Sequence, residues 1–576
     1  MTAATTSASP ASSIPAVGRR RKVSRNKVVA ATILVLMAAF AIFSLVQVDF
    51  SLYNFQASIN SLSKTISQME PISFPTVPDL FYLISLTLGV VIAGTVVAAV
   101  ISAPVAYLAA ANTTPSRWAR VLGRTIGVVT RAIPDVILCL AVSLMFALGA
   151  TWPGVIAIGI HSIGMISKLF ADAIEQIDDG PRIAIRAAGG SKSQEFWSGV
   201  FPQVLPSWVA TALHRSDINL RGSVLLGYAG VGGLGYRMNL DLQQYPEGFG
   251  PALGIAIVIF LLCVVGEIIS SGIRVMLLGA RPDRRSLGDL LWRRTRRGKE
   301  QLAATLASTG TDLTVDRAMR RPWTAGRVTT TVWAWIGVGV VVAGFVMADL
   351  DPRQISWPYI GSTLASFWPP SLGAYDVPTF AEAIAQTLEM AFAAALLTFL
   401  FSLFFGSFAA RNVAPNRWVR GTFRVIIVIF RGVPELVLAI ILIILTGLGQ
   451  EAGVLALTFG GIGLLGKLIA DSFEELPPGP QQAVRATGAG RLQLFTSATF
   501  PQGLPSLLGN TLYLLDTNIR AATVLGIVGA GGIGFYLTEA AQLTNTHSIV
   551  TAIIGMIIVM VLVVEGISVY LRSVFK

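Results

Sequence analysis

Two short patterns place ionisable side chains inside otherwise apolar sequence: Asp217, Asn219 and Arg221, and again Asp516, Asn518 and Arg520. In lipid a charged group at mid-depth costs at least about 2.5–3.5 kcal/mol even on insertion scales, so such groups face protein or water and are functional candidates by default. In each copy the acid precedes the base by four residues, which puts both on one helical face in the favourable order. Two readings follow. Each pair neutralises itself and packs two halves of the molecule together, or Arg221 and Arg520 line a path for an anion between those halves. The surroundings differ: His214 and Arg215 stand where the second copy has Tyr513 and Leu514, so any path would be asymmetric. Arg131 and Arg431 each precede a proline near the expected cytoplasmic end of a span, where long basic side chains snorkel to the interface.

Other chemistry is excluded by spacing. Cys139 and Cys263 lie singly in apolar runs, so neither a disulfide framework nor a cysteine metal site is available. Residues 230–235 and 529–534 each contain G-x-G-x-x-G, but a dinucleotide site needs that pattern between a strand and a helix. In an apolar setting these glycines are expected to break a helix or to let backbones approach closely. Residues 461–468 nearly spell a phosphate-binding loop, yet Leu468 stands where Ser or Thr would hold Mg²⁺. Lys168 and Lys467 read as helix-end anchors. The chain is therefore expected to bind no cofactor or metal itself and not to be an enzyme.

The elements that must position these groups are membrane spans. Of 576 residues, 53% are hydrophobic and 13% charged, against roughly 25% charged in ordinary globular proteins. A water-soluble enzyme, a disordered chain and a collagen are all excluded. The net charge of +12 sits in basic clusters beside apolar runs, so topology explains it and no nucleic-acid partner is expected. Crossing the hydrocarbon takes roughly 20 helical residues. Apolar runs lie near 28–48, 79–111, 125–149, 152–171, 200–228 and 250–279, then near 328–349, 379–411, 424–448, 452–471, 499–527 and 547–572. That is six spans twice. The first run is uncharged, follows a basic patch and is too long for a typical signal core, so it reads as a retained anchor helix. Basic residues favour the cytoplasm. This rule puts both termini, 172–198 and 280–327 inside, with 49–78 and 350–378 outside.

The halves are copies. Asn112, Pro115, Arg117 and Trp118 recur as Asn412, Pro415, Arg417 and Trp418; Arg131, Pro134 and Asp135 as Arg431, Pro434 and Glu435; and Phe-Pro-Gln-x-Leu-Pro-Ser begins at both Phe201 and Phe500. An even number of spans per copy makes the repeats parallel, related by an axis along the membrane normal. The expected fold is thus an all-α polytopic membrane protein: a basic tail over 1–27, a first unit over 28–279, a cytoplasmic linker over 280–327 and a second unit over 328–576.

Between the fourth and fifth span of each half, carboxylates (Asp172, Glu175; Asp471, Glu474) lead to a Gly-Pro turn and a short helix. The helix runs through Arg186, Ala187 and Gly189, copied as Arg485, Ala486 and Gly488, and is followed by the entrance to the fifth span, which carries Leu205-Pro206 or Leu504-Pro505. Here the chain resembles the membrane subunits of ATP-binding-cassette importers, whose Glu-Ala-Ala loop docks on an ATPase subunit. Ile183 and Gln482 occupy the Glu position, a departure from the family pattern. Among the importers, Asp217, Asn219, Arg221, Arg131, Pro134 and Asp135, with their copies, resemble the phosphonate-uptake permeases. The resemblance implies a MetI-like fold in a bacterial inner membrane and two permease units fused in one chain. It implies two ATPase subunits carrying ATP and Mg²⁺, an extracytoplasmic binding protein, and phosphonate, phosphite or phosphate as substrate. The alternatives are a gradient-driven anion transporter using Asp217 and Asp516 as proton sites, an importer permease for another solute such as methionine, and a non-transporting scaffold.

Overall fold

A computed structural model describes residues 24–48, 70–244, 247–277, 325–355, 357–432, 435–447, 449–542 and 547–575. Most of the basic tail, nearly all of the linker, most of the segment 49–78 and Pro434 lie outside the described residues. Among those described, structure is helical apart from one isolated antiparallel bridge between Phe146 and Ile355.

The first half comprises α1 (Arg25–Gln47), α2 (Val77–Ala109), α3 (Arg117–Ala132), α4 (Asp135–Ser143), α5 (Trp152–Glu175), α6 (Gly180–Ala187), α7 (Phe201–Tyr228), α8 (Leu234–Leu242) and α9 (Phe249–Leu277). The second half repeats this order as α10 (Ala325–Met347), α11 (Val377–Ala409), α12 (Arg417–Gly432), α13 (Glu435–Thr446), α14 (Gln450–Glu474), α15 (Pro478–Ala486), α16 (Phe500–Leu525), α17 (Ile533–Gln542) and α18 (His547–Phe575). Each apolar run expected from sequence contains helix among its described residues, the third ending at Ser143, short of the expected 149. Among the described residues, seven helices are long and apolar enough to cross a membrane alone, and two bent pairs raise this to nine. Among the other runs, α7 carries Arg215, Asp217 and Arg221 within its apolar sequence.

Local sequence sets the helix ends. Thr76 and Asp376 cap α2 and α11, each with a proline in the first turn. Ser116 Oγ accepts from the Ala119 amide at 3.1 Å, and Asn416 Oδ1 from that of Val419 at 2.8 Å. The repeated Asn-x-x-Pro-x-Arg-Trp motif is therefore the entry to the third span. That span bends by 77° between Arg131 and Asp135. Ile133 is extended, as a residue before proline must be, and its freed carbonyl meets His161 Nδ1 at 2.9 Å.

The halves interlock. α1 packs on α11 of the second half, with Phe40 edge-on to Phe392 at 5.0 Å, and α10 packs on α2 of the first. One apolar cluster runs through both halves, joining Ala93, Val136 and Leu226 to Met390, Leu457 and Ile533. α5 and α14 are the most enclosed spans, with 67% and 78% of their windows buried against 17% for α1. Exchange of the first helices depends on glycine. A methyl group at Gly89 would lie 2.3–2.6 Å from the backbone of Met347 and Ala348. Gly89→Leu is therefore expected to cut the yield of monodisperse detergent-purified protein several-fold, because backbone cannot give way as a side chain can. Gly337→Leu, where an added Cβ meets nothing within 4 Å, leaves the yield unchanged.

The repeats run in the same direction. The end of α10 meets the start of α5: Thr151 Oγ1 donates to Asp349 O at 3.3 Å and Trp152 Nε1 to Asp351 O at 3.2 Å. The Ser371 amide, ahead of α11, donates to Ser548 O at the start of α18 at 3.2 Å. Hence α5 and α14 both end, and α6 and α15 both lie, at the opposite face of the bundle.

Candidate functional site

At that opposite face, α6 and α15 contain no buried residue. Each is closed by a glycine in the left-handed region, Gly189 at φ +79° and Gly488 at φ +81°, which ends the helix without Cβ strain. The ends of the second and fourth spans are tied together beneath them. Asn112 Nδ2 donates to Ile174 O at 2.7 Å, and Asn412 Nδ2 to Phe473 O at 2.6 Å. The carboxylates heading the loops accept backbone amides: Glu175 from Ala111 and Glu474 from Arg411, both at 2.7 Å. A rigid platform thus carries each short helix.

The two platforms differ in chemistry. In the first half Arg182 bridges to Asn112 O, Asp179 and Glu195, and Arg186 donates to Glu195 at 2.7 Å. In the second, Gln481 and Leu494 stand at the places of Arg182 and Glu195. The space remains as a cavity of about 400 Å³ whose lining includes Arg411, Arg485 and Arg491. Ala187 and Ala486 are exposed, as are Arg186, Arg485 and Ile183.

The second region lies deep between the halves. Asn219 is 3% exposed and donates to Thr95 Oγ1 at 2.9 Å and to Ser162 Oγ at 3.2 Å. Its copy Asn518 is equally buried, but its Nδ2 has no partner among the described residues. Asp516 and Arg520 form the expected pair. The matching expectation for the first half is corrected: Arg221 pairs with Glu267 on α9 at 3.0 Å rather than with Asp217. It also donates to Arg431 O across the seam at 3.4 Å. The sixth span reaches this level and supplies a better-placed carboxylate than the helix's own i−4 position.

The snorkelling expectation for Arg131 is also corrected. A Cβ at Gly164, midway along α5, would lie 2.7 Å from Arg131 Cβ, so Arg131 stands at mid-span. It pairs across the seam with Glu565 of α18 at 2.5 Å, and both side chains are mostly buried. The break at Pro134 halves the straight run of the third span, which is why its last arginine stops at mid-depth.

Glu267 and Glu565 were not singled out from sequence. The criterion applied to Asp217 finds them: each is a lone carboxylate in an apolar run, and they recur at the same place in both halves. Thr87 and Thr387 are further missed residues. Their hydroxyls accept the Leu234 and Ile533 amides, each at 3.0 Å, and so cap α8 and α17 just after the glycine runs. The runs themselves do both things expected of them. They break the helix, with Gly230, Gly529, Gly531 and Gly532 at positive φ, and they bring backbones together at Gly227 and Gly235.

An enclosed, duplicated helical bundle with charged groups at mid-depth and two exposed loops on one face is the architecture of a membrane permease. The family model of binding-protein-dependent transport system inner membrane components matches residues 102–273 and again 402–573, and this chain belongs to that family. It is a multi-pass membrane protein. The phosphate-import permease protein PhnE of Mycolicibacterium smegmatis is 38% identical over 493 residues, covering 84% of each chain. The phosphite transport system permease protein PtxC of Stutzerimonas stutzeri is 34% identical over 252 residues, 42% of this chain and 90% of its own. Inward-facing structures of the MetNI methionine transporter align with 35% of this chain and all of theirs, at 21% identity and a TM-score of 0.33.

Proposed function

We propose that this chain is the fused permease of an ATP-driven importer for phosphorus oxyanions (phosphonate, phosphite or phosphate) in a bacterial inner membrane. Residues 28–279 and 328–576 are its two units. A separate binding protein delivers substrate outside, and each unit presents one loop to one ATPase subunit, which carries the ATP and Mg²⁺. The chain itself holds no ATPase site. The observation that carries this reading is the pair of short helices without a buried residue, α6 and α15, on one face of a parallel duplicated bundle. Substrate class is supported by the similarity to permeases named for phosphate and phosphite. Arg117, Arg120, Arg186, Arg417, Arg420 and Arg485 gather at the loop-bearing end, which supports placing that end and both termini in the cytoplasm.

In this mechanism closure of the ATPase pair pushes on Arg186, Ala187 and Gly189 and on Arg485, Ala486 and Gly488. The tied ends of the second and fourth spans carry the push into the bundle. At mid-depth Asp217, Asn219, Arg221, Asp516, Asn518 and Arg520 line or shape the seam that opens. Ile183 is 57% exposed on α6, an apolar contact offered to the ATPase in place of the family's Glu.

The test is reconstitution with ATPase and binding protein in liposomes, measuring uptake of labelled phosphate, phosphite and phosphonate. ATP-dependent uptake is expected; uptake that ignores ATP and follows a proton or sodium gradient would refute the reading. Ile183→Asp places a charge at the docking contact and is expected to lower ATP-driven uptake at least tenfold. It leaves the yield of the isolated permease unchanged, because the side chain touches no core.

A further inference from the structure

We infer that Arg215 is an anion-receiving station supplied by the first half alone, where its guanidinium holds the phosphorus oxyanion at the seam during passage. This rests on the importer reading for the identity of the anion. Three other arginines at this depth are neutralised: Arg131 by Glu565, Arg221 by Glu267 and Arg520 by Asp516. Arg215 is different. It is 8% exposed, its Nε donates to Ser162 Oγ at 3.0 Å, and no described carboxylate forms an ion pair with it. Its two terminal nitrogens have no protein partner among the described residues. Asp135 acts on it electrostatically without making contact. A cation held out of water without a paired carboxylate is costly, and the structure keeps it in place by effort: Ser162 is itself fixed by Asn219, which Thr95 fixes in turn. A guanidinium whose Nε is tied presents its terminal nitrogens as a planar fork, the geometry that takes two oxygens of a phosphorus oxyanion.

The second half has no such station. Leu514 replaces Arg215, Gly461 replaces Ser162 and Ala395 replaces Thr95. A Cβ at Gly461 would meet Thr398 within 3 Å and the Leu514 side chain at 3.4 Å, so apolar groups fill the equivalent space. Tyr513 of that half lies near enough to act on Arg215 electrostatically. Tyr513 is 43% exposed, and His214, next to Arg215 in the chain, is exposed too. A single unshared cation suits transport better than a symmetric pair, because an anion clamped from both sides would leave slowly.

The experiment uses the full complex of permease, ATPase and binding protein. In liposomes, Arg215→Met is expected to lower the number of anions taken up per ATP hydrolysed at least tenfold, and Arg215→Lys to restore part of that loss. A purely structural role would lower uptake and hydrolysis together and leave their ratio unchanged; that result overturns the inference, as does wild-type uptake by Arg215→Met. A second measurement needs no transport: equilibrium binding of labelled inorganic phosphate to the nucleotide-free permease–ATPase complex without binding protein. Loss of that binding in Arg215→Met but not in the Leu514→Met control supports the station even if no ATP-driven uptake is found, in which case the importer reading alone fails. Equal binding by wild type and Arg215→Met overturns the station while leaving that reading intact.

Discussion

Glu565→Ala is expected to be among the most damaging single substitutions in this chain. It strands the Arg131 guanidinium at mid-span between the halves, where its partner now sits 2.5 Å away. Removing one member of a buried ion pair costs about 3–5 kcal/mol, because the surviving charge is left uncompensated. The melting temperature of the purified permease should fall by several degrees and its yield by about tenfold. The double variant Arg131→Met with Glu565→Leu separates charge from packing. Replacing both partners by apolar groups of similar volume is often neutral or stabilising, so the double variant should recover most of the lost stability. Equal damage in single and double variants would show that the pair itself is not what holds α3 to α18.

Gly227→Val is the second large effect. A Cβ at Gly227 would lie 2.1 Å from the backbone of Gly235 and Tyr236, a distance no side-chain adjustment relieves. The turn from α7 to α8 then cannot close, Thr87 loses the Leu234 amide, and the helix end that Thr87 caps is unseated. The cost exceeds the 1–3 kcal/mol typical of overpacking, since backbone must move rather than side chains. No monodisperse protein is expected. Gly526→Val in the second half should behave alike, its Cβ meeting Gly531 O at 2.5 Å and Gly534 Cα at 2.9 Å. Gly555→Val, with nothing within 4 Å, serves as the silent control. Survival of Gly227→Val at normal yield would contradict the close approach.

The halves of the bundle are joined by exchanged first helices, by the Arg131–Glu565 ion pair, by the Arg221 hydrogen bond to Arg431 O and by one continuous apolar cluster. Such a seam has strong points, Arg131 with Glu565 and Arg221 with Arg431 O, beside Arg215, which forms no ion pair with a described carboxylate. In the mechanism proposed above, motion delivered at α6 and α15 would reach it through the tied ends of α2 and α5, and of α11 and α14.

By itself the sequence determined the spans, their duplication, the loop after the fourth span of each half and the glycine breaks. These are local consequences: apolar length, proline at helix starts and glycine at positive φ act within a few residues, so they are legible in one dimension. The asymmetry at Arg215 and Leu514 was legible too, because comparing the copies needs only the repeat. What each charge meets was decided by tertiary structure alone. The i, i+4 rule proposed Asp217 for Arg221 and Asp516 for Arg520, and only the second pair forms, because Glu267 arrives from a span some 46 residues further on. The depth of Arg131 depended on a bend at Pro134, and its partner on the packing of α18 from the other half. An ion pair in lipid is chosen by whichever opposite charge the folded bundle brings closest, and that choice is a property of helix packing across the seam.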